Sequence, residues 1–378
     1  MDIYTVVGYN RGVEIRPTHL RGARGNLQGR FETAAREAID DGWTPDNPAV
    51  TPVATQVTIE RARSIIARNT SPDVPFDQSI NPYRGCEHGC IYCYARPSHA
   101  YLELSPGLDF ETKLYAKTNA AELLREELAK PGYVPSAISL GANTDCYQPI
   151  ERKYRITRQI LEVLAECEHP ATIVTKSALV ERDLDLLARM AEKNLVKVFV
   201  SIGSLDREMA RKLEPRAASP QRRLDILRSL YRNKIPCGVL VGALIPALND
   251  KTLEEVLEAA AAAGAGEAAY VILRLPNELK DLFKDWLATH YPDRAGHVIS
   301  IVRQMRGGRD NDPNFGTRMS GTGMFADLIA RRFEIACRRL GLNRNANGVG
   351  GHRAGRRPPE LDCSRFRPPS PAGQLRLF

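Results

Sequence analysis

The sequence has no apolar run that approaches the ~18 to 20 residues needed to cross a membrane. Its first residues, MDIYTVVGYNRGVE, lack the basic region followed by an apolar run that marks a secretory signal. Both absences argue against a membrane or secreted protein. We therefore expect a soluble cytoplasmic protein without a membrane partner.

The familiar signatures of several enzyme classes are also missing. No glycine-rich phosphate loop, no Ser–His–Asp arrangement and no pair of carboxylates at a recognisable spacing stands out. Nucleotide hydrolysis, serine hydrolysis and glycosidase chemistry are therefore without support. The seven histidines are scattered, and His169 and His297 are better explained as structural residues than as metal ligands.

The composition is that of an ordinary globular protein, with 43% hydrophobic and 26% charged residues among 378. The net charge of +8 favours polyanionic partners through counterion release. The arginines near the C-terminus indicate either a solvated helix face with a soluble tail or a surface that contacts nucleic acid. They are Arg331, Arg332, Arg338, Arg339 and Arg344, followed by Arg353, Arg356 and Arg357.

Hydrophobic periodicity predicts an α/β fold in which short β-branched runs alternate with amphipathic helices. Each connection is long enough for a right-handed crossover, so the strands should be parallel neighbours. Six such units are two short of a closed barrel, which predicts a partial (β/α)6 barrel with its chemistry at the carboxyl ends of the strands. The predicted strands span 78–80, 137–140, 172–175, 196–202, 239–244 and 269–273, and the predicted helices 120–129, 157–168, 181–193, 222–232, 253–263, 279–288 and 324–340.

Four regions are expected along the chain. Residues 1–70 form an N-terminal extension with helices predicted at 31–40 and 58–67, and residues 71–300 form the partial barrel. Residues 301–345 form a helical extension. Residues 346–378 are rich in Gly, Arg and Pro and should form a flexible tail, because such a composition buries little apolar surface.

Three of the eight cysteines fall within eight residues, in the stretch NPYRGCEHGCIYCY directly after the first predicted barrel strand. Cys86, Cys90 and Cys93 in a cytoplasmic protein indicate metal rather than a disulfide framework. Thiolates suit an iron–sulfur cluster or zinc, and zinc would need a fourth ligand such as His88 or His99. Three thiols in an apolar core without metal are a further alternative.

The spacing CxxxCxxC after the first strand of a partial barrel resembles the radical S-adenosylmethionine (radical SAM) superfamily, over about residues 75 to 275. The resemblance implies a 4Fe-4S cluster on the three cysteines, with SAM chelated to the remaining iron. It implies SAM cleavage to a 5′-deoxyadenosyl radical that takes hydrogen from a substrate, and an electron donor of the flavodoxin or ferredoxin type.

The resemblance also implies positions around the bound SAM. The backbone of residues 141–145 would meet its amino group, Lys176 its carboxylate, Ser201 its ribose and Tyr92 its adenine. Lys176 could instead be a surface lysine, Arg216 could bind an anionic group or form a salt bridge, and Asp145 could cap a turn. The residues of the backbone segment are Gly141, Ala142, Asn143, Thr144 and Asp145.

Within the superfamily, CIYCY followed by Thr144-Asp145 resembles the spore photoproduct lyase-like, or DNA repair photolyase-like, branch. This resemblance implies an enzyme acting on DNA and a role for Tyr94 in a hydrogen-atom relay. Where the lyase has a hydrogen-donating cysteine, this chain has Ala142. Cys146 could replace that cysteine or pack as a small apolar residue. An enzyme acting on RNA or a peptide, or a zinc module that binds nucleic acid, are the alternatives.

The chain ends in QLRLF, which resembles the peptide by which bacterial repair proteins and polymerases bind the sliding clamp. Leu and Phe anchors suit an apolar cleft, and a flexible tether would raise their local concentration. A chance match is the alternative. The predicted clamp contacts are Gln374, Leu375, Leu377 and Phe378.

Overall fold

Six parallel strands and the helices between them dominate the protein, whose computed structural model describes residues 21–32, 53–344 and 361–369. The strands are β1 Gln56–Glu60, β2 Ile66–Arg68, β3 Gln78–Ile80, β4 Tyr83–Arg84, β5 Lys113–Lys117, β6 Ile138–Leu140, β7 Ala171–Thr175, β8 Val196–Ser201, β9 Cys237–Leu244 and β10 Glu267–Ile272. The helices are α1 Asp109–Thr112, α2 Ala120–Leu128, α3 Glu151–Tyr154, α4 Ile156–Glu166, α5 Leu184–Ala191, α6 Arg207–Leu213, α7 Pro220–Arg232, α8 Leu253–Ala262, α9 Leu279–His290, α10 Pro292–Gln304 and α11 Met324–Leu340.

The main sheet has the strand order β10-β9-β8-β7-β6-β3-β2, and only β2 runs antiparallel to its neighbour. Strands β8 and β9 are almost entirely buried, as expected for parallel strands covered on both faces. β10 and β2 lie at opposite edges, so the curved sheet stays open. The predicted partial barrel with six parallel strands is confirmed.

Local signals explain where the helices begin and end. Ser219 caps α7 through its hydroxyl and Pro220 takes the first helical position, where its missing N–H costs nothing. Gly341 adopts a left-handed conformation at φ 71° and ends α11 at the predicted residue. Arg332 and Arg339 of α11 pair with Glu254 and Glu258 of α8, which favours the solvated-face interpretation for these two arginines.

The N-terminal extension differs from prediction. The helix predicted at 58–67 is wrong, because the β-branched run of β1 instead pairs in parallel with β5 in a small second sheet. The Asn119 side chain accepts from the Ala62 N–H and donates to the Ala62 carbonyl, both at 3.0 Å, where the chain turns toward β2. Of the helix predicted at 31–40, residues 33–40 lie outside the described residues, and Phe31 lies in a turn.

Residues 361–369 differ from the predicted flexible tail, because they pack at the amino ends of β7 and β8. The Asp362 N–H donates to the Asn194 carbonyl at 3.0 Å, and the Arg367 N–H donates to the Cys167 carbonyl at 2.9 Å. The Phe366 ring lies 5.3 Å from that of His169. Arg353, Arg356, Arg357 and the QLRLF motif lie outside the described residues.

The helices that the structure describes include none that is both long and apolar enough to span a bilayer.

Candidate functional site at the mouth of the barrel

The carboxyl ends of the parallel strands meet at one edge of the sheet, which we call the mouth. Asn81 follows β3, Gly141 follows β6, Lys176 follows β7 and Ile202 follows β8. Arg274 comes two residues after β10. Residues that are far apart in the sequence are therefore brought together here, as in closed α/β barrels.

The cysteine loop, residues 85–93, is shaped by two glycines. Gly85 and Gly89 have φ angles of +73° and +67°, which residues other than Gly rarely adopt. A Cβ on Gly85 would lie 2.8 Å from the Phe110 carbonyl oxygen, and one on Gly89 would lie 2.6 Å from a Glu111 carboxylate oxygen. The two positions therefore require Gly for both conformation and space.

The loop gathers its three thiols in a largely apolar environment. Cys86 and Cys90 are each 7% exposed, and Cys93 is partly exposed. Burial, followed by the negative charges of Asp145, Cys90 and Cys93, raises the pKa of Cys86 well above its usual value. Burial likewise raises the pKa of Cys90 to about 12, against the nearby Lys176 ammonium. Thiols in this position become thiolates only with a strong positive centre, so the donor set fits a metal cluster.

The two histidines considered as zinc ligands already have partners. The His88 Nδ1 lies 3.3 Å from an Asp145 carboxylate oxygen. The His99 Nε2 lies 2.9 Å from the Lys113 carbonyl oxygen. Within the part of the chain that the structure describes, no group of three His, Cys, Asp or Glu side chains is arranged to hold a single metal ion. Either histidine would have to leave its present partner to serve as a fourth zinc ligand.

A buried ion pair holds the cysteine loop from behind. The Arg96 guanidinium donates to the carbonyls of Cys90 and Gly89, at 2.8 and 3.1 Å, and pairs with Glu111 at 2.5 Å. Glu111 also accepts the backbone N–H groups of residues 22 and 23, each at 2.8 Å. Arg96 and Glu111 have no exposed surface. The pair thus joins the loop to the N-terminal extension.

The segment after β6 is rigidly built. Gly141 has a φ of +83°, and a Cβ there would lie 2.3 Å from the Val174 carbonyl oxygen. Asn81 Oδ1 accepts from the Asn143 N–H at 2.9 Å, and the Thr144 hydroxyl donates to the Tyr83 carbonyl at 2.9 Å. The segment therefore lies against β3 and β7 at the mouth.

Asp145 lies within this segment but is already engaged. Its carboxylate accepts from the Thr175 hydroxyl at 2.7 Å, the Lys176 N–H at 2.8 Å and the Tyr147 N–H at 2.9 Å. Burial alone would raise its pKa, but His88 and these donors lower the pKa to about 2. This arrangement supports the turn-capping interpretation rather than a direct contact with SAM.

Tyr92 and Lys176 face each other beside Cys90. The Lys176 Nζ lies 6.0 Å from the centroid of the Tyr92 ring. The Tyr92 hydroxyl donates to Glu214, which also pairs with the buried Arg223. Burial would raise the pKa of Glu214, but Arg223 and Lys176 lower it, so Glu214 stays ionised. Lys176 is therefore a partly buried cation with a carboxylate nearby, which favours the predicted position at the mouth over the surface-lysine alternative.

Tyr94 links the cysteine loop to the segment after β6, because its hydroxyl donates to the Ala142 carbonyl. Its side chain is 44% exposed and therefore lines the open mouth. The Arg274 guanidinium carbon lies 5.4 Å from the centroid of its ring. Tyr94 thus lines the mouth beside the cysteine loop, and its part in a hydrogen-atom relay stays a prediction.

Three other predicted residues have less accessible positions. Cys146 has no exposed surface and belongs to the main core, so the hydrogen-donor role does not fit its position and the packing alternative does. Ser201 is 1% exposed, and its hydroxyl donates to the Gly242 carbonyl at 3.4 Å. Arg216 pairs with Glu87 of the cysteine loop at 2.9 Å, as the salt-bridge alternative expected.

This arrangement of a cysteine loop at the mouth of a partial barrel has counterparts in known proteins. The model of the Radical SAM superfamily matches residues 80–260. The chain belongs to the radical SAM superfamily. Membership implies SAM and an iron–sulfur cluster as cofactors, and it implies an enzyme.

This chain is similar to uncharacterized proteins of Mycobacterium bovis and Mycobacterium tuberculosis. It is 34% identical to each over 278 residues, which cover 70% of this chain and 82% of theirs. An uncharacterized protein of Methanocaldococcus jannaschii is 30% identical over 174 residues, covering 45% of this chain and 61% of its own.

The fold is similar to that of spore photoproduct lyase complexed with dinucleoside spore photoproduct. The TM-score is 0.52 at 17% identity, and the match covers 75% of this chain and 78% of that chain. At this identity the match shows a shared fold, as the expected lyase-like branch requires.

Several residues that build the site were not predicted from the sequence. Gln148 donates to the Gly85 carbonyl at 3.0 Å and accepts the Glu87 N–H at 2.9 Å, which braces the cysteine loop from the segment after β6. The pairs Arg96–Glu111 and Arg223–Glu214 are both buried. Of these residues, only Arg96 could have been suspected from the sequence, because it stands three residues after Cys93 and so directly follows the cysteine loop.

Proposed function

We propose that this chain is a radical SAM enzyme that holds a 4Fe-4S cluster on Cys86, Cys90 and Cys93 and acts on DNA. The observation that carries the proposal is the grouping of three thiols, two of them buried and one partly exposed, on one loop at the mouth. When bound, the cluster with SAM supplies the 5′-deoxyadenosyl radical that takes hydrogen from a substrate.

The remaining residues bind and orient. Lys176 would pair with the SAM carboxylate, because it is a partly buried cation next to Cys90. Glu214 and Arg223 fix the Tyr92 hydroxyl, so the ring is held in a position from which it would meet the adenine. The backbone of residues 141–144 would meet the amino group. Ser201 would have to give up its hydrogen bond to the Gly242 carbonyl to meet the ribose, and Arg216 supports the loop through Glu87.

A DNA substrate is supported by the fold and by charge. The lyase with the similar fold has been described in complex with dinucleoside spore photoproduct. Burial and then Cys93 raise the pKa of Tyr94 to about 12, against the opposing charges of Arg274, Lys176 and Arg318, so three cations lie near this ring at the mouth. Ala142 replaces the hydrogen-donating cysteine of the lyase, so the reaction differs from thymine-dimer reversal in at least its hydrogen donor.

Anaerobic turnover tests the proposal. The reconstituted protein, given SAM and dithionite, should release 5′-deoxyadenosine, and ultraviolet-damaged DNA should accelerate that release. A fully loaded protein that releases none would contradict the enzyme assignment. Stimulation by RNA or a peptide instead of DNA would retain the radical chemistry and change the substrate class.

Two partners follow from the same proposal. A flavodoxin or ferredoxin would supply the electron in the cell, and replacing dithionite with either should sustain turnover. The QLRLF motif would bind the sliding clamp. Deleting residues 374–378 should abolish clamp binding in a titration and leave SAM cleavage intact, whereas a full-length protein without clamp affinity would contradict the idea.

A further inference from the structure

A loop between α10 and α11 closes the open side of the barrel at the mouth. We call it the strap, residues 306–323. On one side the Ile272 N–H of β10 donates to the Met319 carbonyl at 3.0 Å. On the other side the Gly316 N–H and the Arg318 guanidinium donate to Asp73, at 2.6 and 2.5 Å, in the connection between β2 and β3. The strap therefore bridges the two edges that the sheet leaves apart.

The strap places two arginines, Arg306 and Arg318, near Arg274. Arg318 is oriented by Asp73, with its guanidinium carbon 4.5 Å from the centroid of the Phe315 ring. Arg306 lies beneath and donates to the carbonyls of Thr317 and Leu273, each at 2.9 Å. Burial, and then the charge of Arg274, lower the pKa of Arg306 to about 10 against the opposing effect of Asp312.

Among the described residues, Arg274 has neither the carboxylate partner of Arg318 nor the carbonyl partners of Arg306. No carboxylate lies within ion-pair distance of it in the part of the chain that the structure describes. Its Nε is buried without a hydrogen-bond partner, and its Nη1 meets only the Met319 sulfur at 3.6 Å. A guanidinium with an unpaired N–H costs free energy in the free protein, and an anionic ligand would offset that cost.

The neighbours of Arg274 indicate which kind of anion it would bind. Tyr94 and Phe315 are exposed large aromatics, 44% and 58% accessible, and each lies against an arginine. Aromatic rings next to guanidinium groups are the elements with which proteins stack nucleobases and bind the adjoining phosphates. A guanidinium matches phosphate through two parallel hydrogen bonds.

We propose that Arg274, supported by Arg318, forms a phosphate-binding subsite that holds one phosphodiester of a nucleic-acid substrate beside Tyr94. The proposal rests on the proposed function and adds a residue that sets the position of the substrate. Arg318 orients the strap, and Phe315 stacks on a base next to that phosphate. SAM carries a carboxylate, so the test must separate the two anions.

The test uses the full-length, cluster-loaded protein and a fluorescein-labelled single-stranded oligothymidylate of about 12 nucleotides. Arg274→Met should weaken oligonucleotide binding roughly ten- to hundredfold and reduce the slope of log affinity against log salt by about one. Arg274→Lys should restore the slope but only part of the affinity, because lysine cannot bind phosphate in a bidentate manner. Arg228→Gln is the matched control, since Arg228 is an exposed arginine of α7 that pairs with Asp225.

Two further measurements distinguish a role of Arg274 in ligand binding from a role in stabilising the fold. SAM affinity, measured by calorimetry, should be the same in Arg274→Met and wild type. The thermal midpoint should not fall, because the substitution removes a cation that has no carboxylate partner. A lower SAM affinity with unchanged oligonucleotide binding would overturn the proposal and assign Arg274 to the SAM carboxylate. Unchanged binding of both would overturn it as well.

The same data distinguish this inference from the proposed function. If wild type binds the oligonucleotide and Arg274→Met binds it equally well, the subsite is refuted while a DNA substrate stands. If wild type cleaves SAM but binds no oligonucleotide, the DNA substrate is refuted and the subsite with it.

Discussion

Substituting Arg96 with Met should destabilise the protein more than almost any other single change near the site. Arg96 donates to four carbonyls, those of Cys90, Gly89, Pro106 and Gly107, and pairs with Glu111. Breaking a buried pair by removing one partner costs about 3 to 5 kcal/mol. That is a large part of the roughly 5 to 15 kcal/mol by which domains are stable. Iron loading should fall too, since two of the carbonyls belong to the cysteine loop.

Anaerobic urea unfolding of Arg96→Met, Glu111→Met and the double variant provides the measurement. The double variant should be more stable than the sum of the single effects predicts, because neither charge is then left buried alone. Arg228→Gln, at an exposed pair, should stay within about 0.5 kcal/mol of wild type. If Arg96→Met loses less than about 1 kcal/mol, the pair does not hold the loop and the reasoning is refuted.

Three other substitutions have defined outcomes. Asp145 has its pKa lowered from 3.8 to about 2, so its contribution of about 2 kcal/mol is present at neutral pH and lost as the pH falls from about 4 to about 2. Urea unfolding should show Asp145→Asn less stable than wild type at pH 7, with the difference shrinking toward pH 2; a constant difference would contradict this. Burial lowers the pKa of His169 from 6.5 to about 4, so the folded state resists its protonation and stability should fall by about 2 kcal/mol from pH 7 to pH 5. In His169→Gln the loss of stability between pH 7 and pH 5 should be smaller, and an equally large loss would contradict this role of His169. Cys146→Ser should lower the thermal midpoint and leave both 5′-deoxyadenosine release and substrate conversion intact, whereas a stable variant that still releases 5′-deoxyadenosine but no longer converts substrate would restore Cys146 as a hydrogen donor.

The barrel itself could be predicted from the sequence, because its strands and helices carry strong local signals. The run at β8 is buried on both faces, and α11 begins and ends at the predicted residues. The N-terminal extension was less predictable than the barrel. β1 is a short, largely exposed strand whose partner β5 lies more than fifty residues away, and a local pattern cannot reveal such a pairing.

The candidate site shows the same division. The cysteine loop and Lys176 were predictable, because their positions follow from spacing and from the strand ends. The partners of Glu111, Glu214 and Gln148 were not, because each contact joins distant segments and each residue type alone is common. For Cys146 the sequence left two alternatives open, because its neighbours in the chain lie at the mouth, and the structure favours the packing alternative, because the side chain belongs to the core.

Anaerobic reconstitution with iron and sulfide, followed by addition of SAM and dithionite, tests the central claim most directly. The account predicts about four iron atoms per chain, an electron paramagnetic resonance signal that SAM alters, and release of 5′-deoxyadenosine. Alanine at Cys86, Cys90 or Cys93 should abolish all three. A colourless protein with one zinc, or a fully loaded cluster that never cleaves SAM, would contradict it.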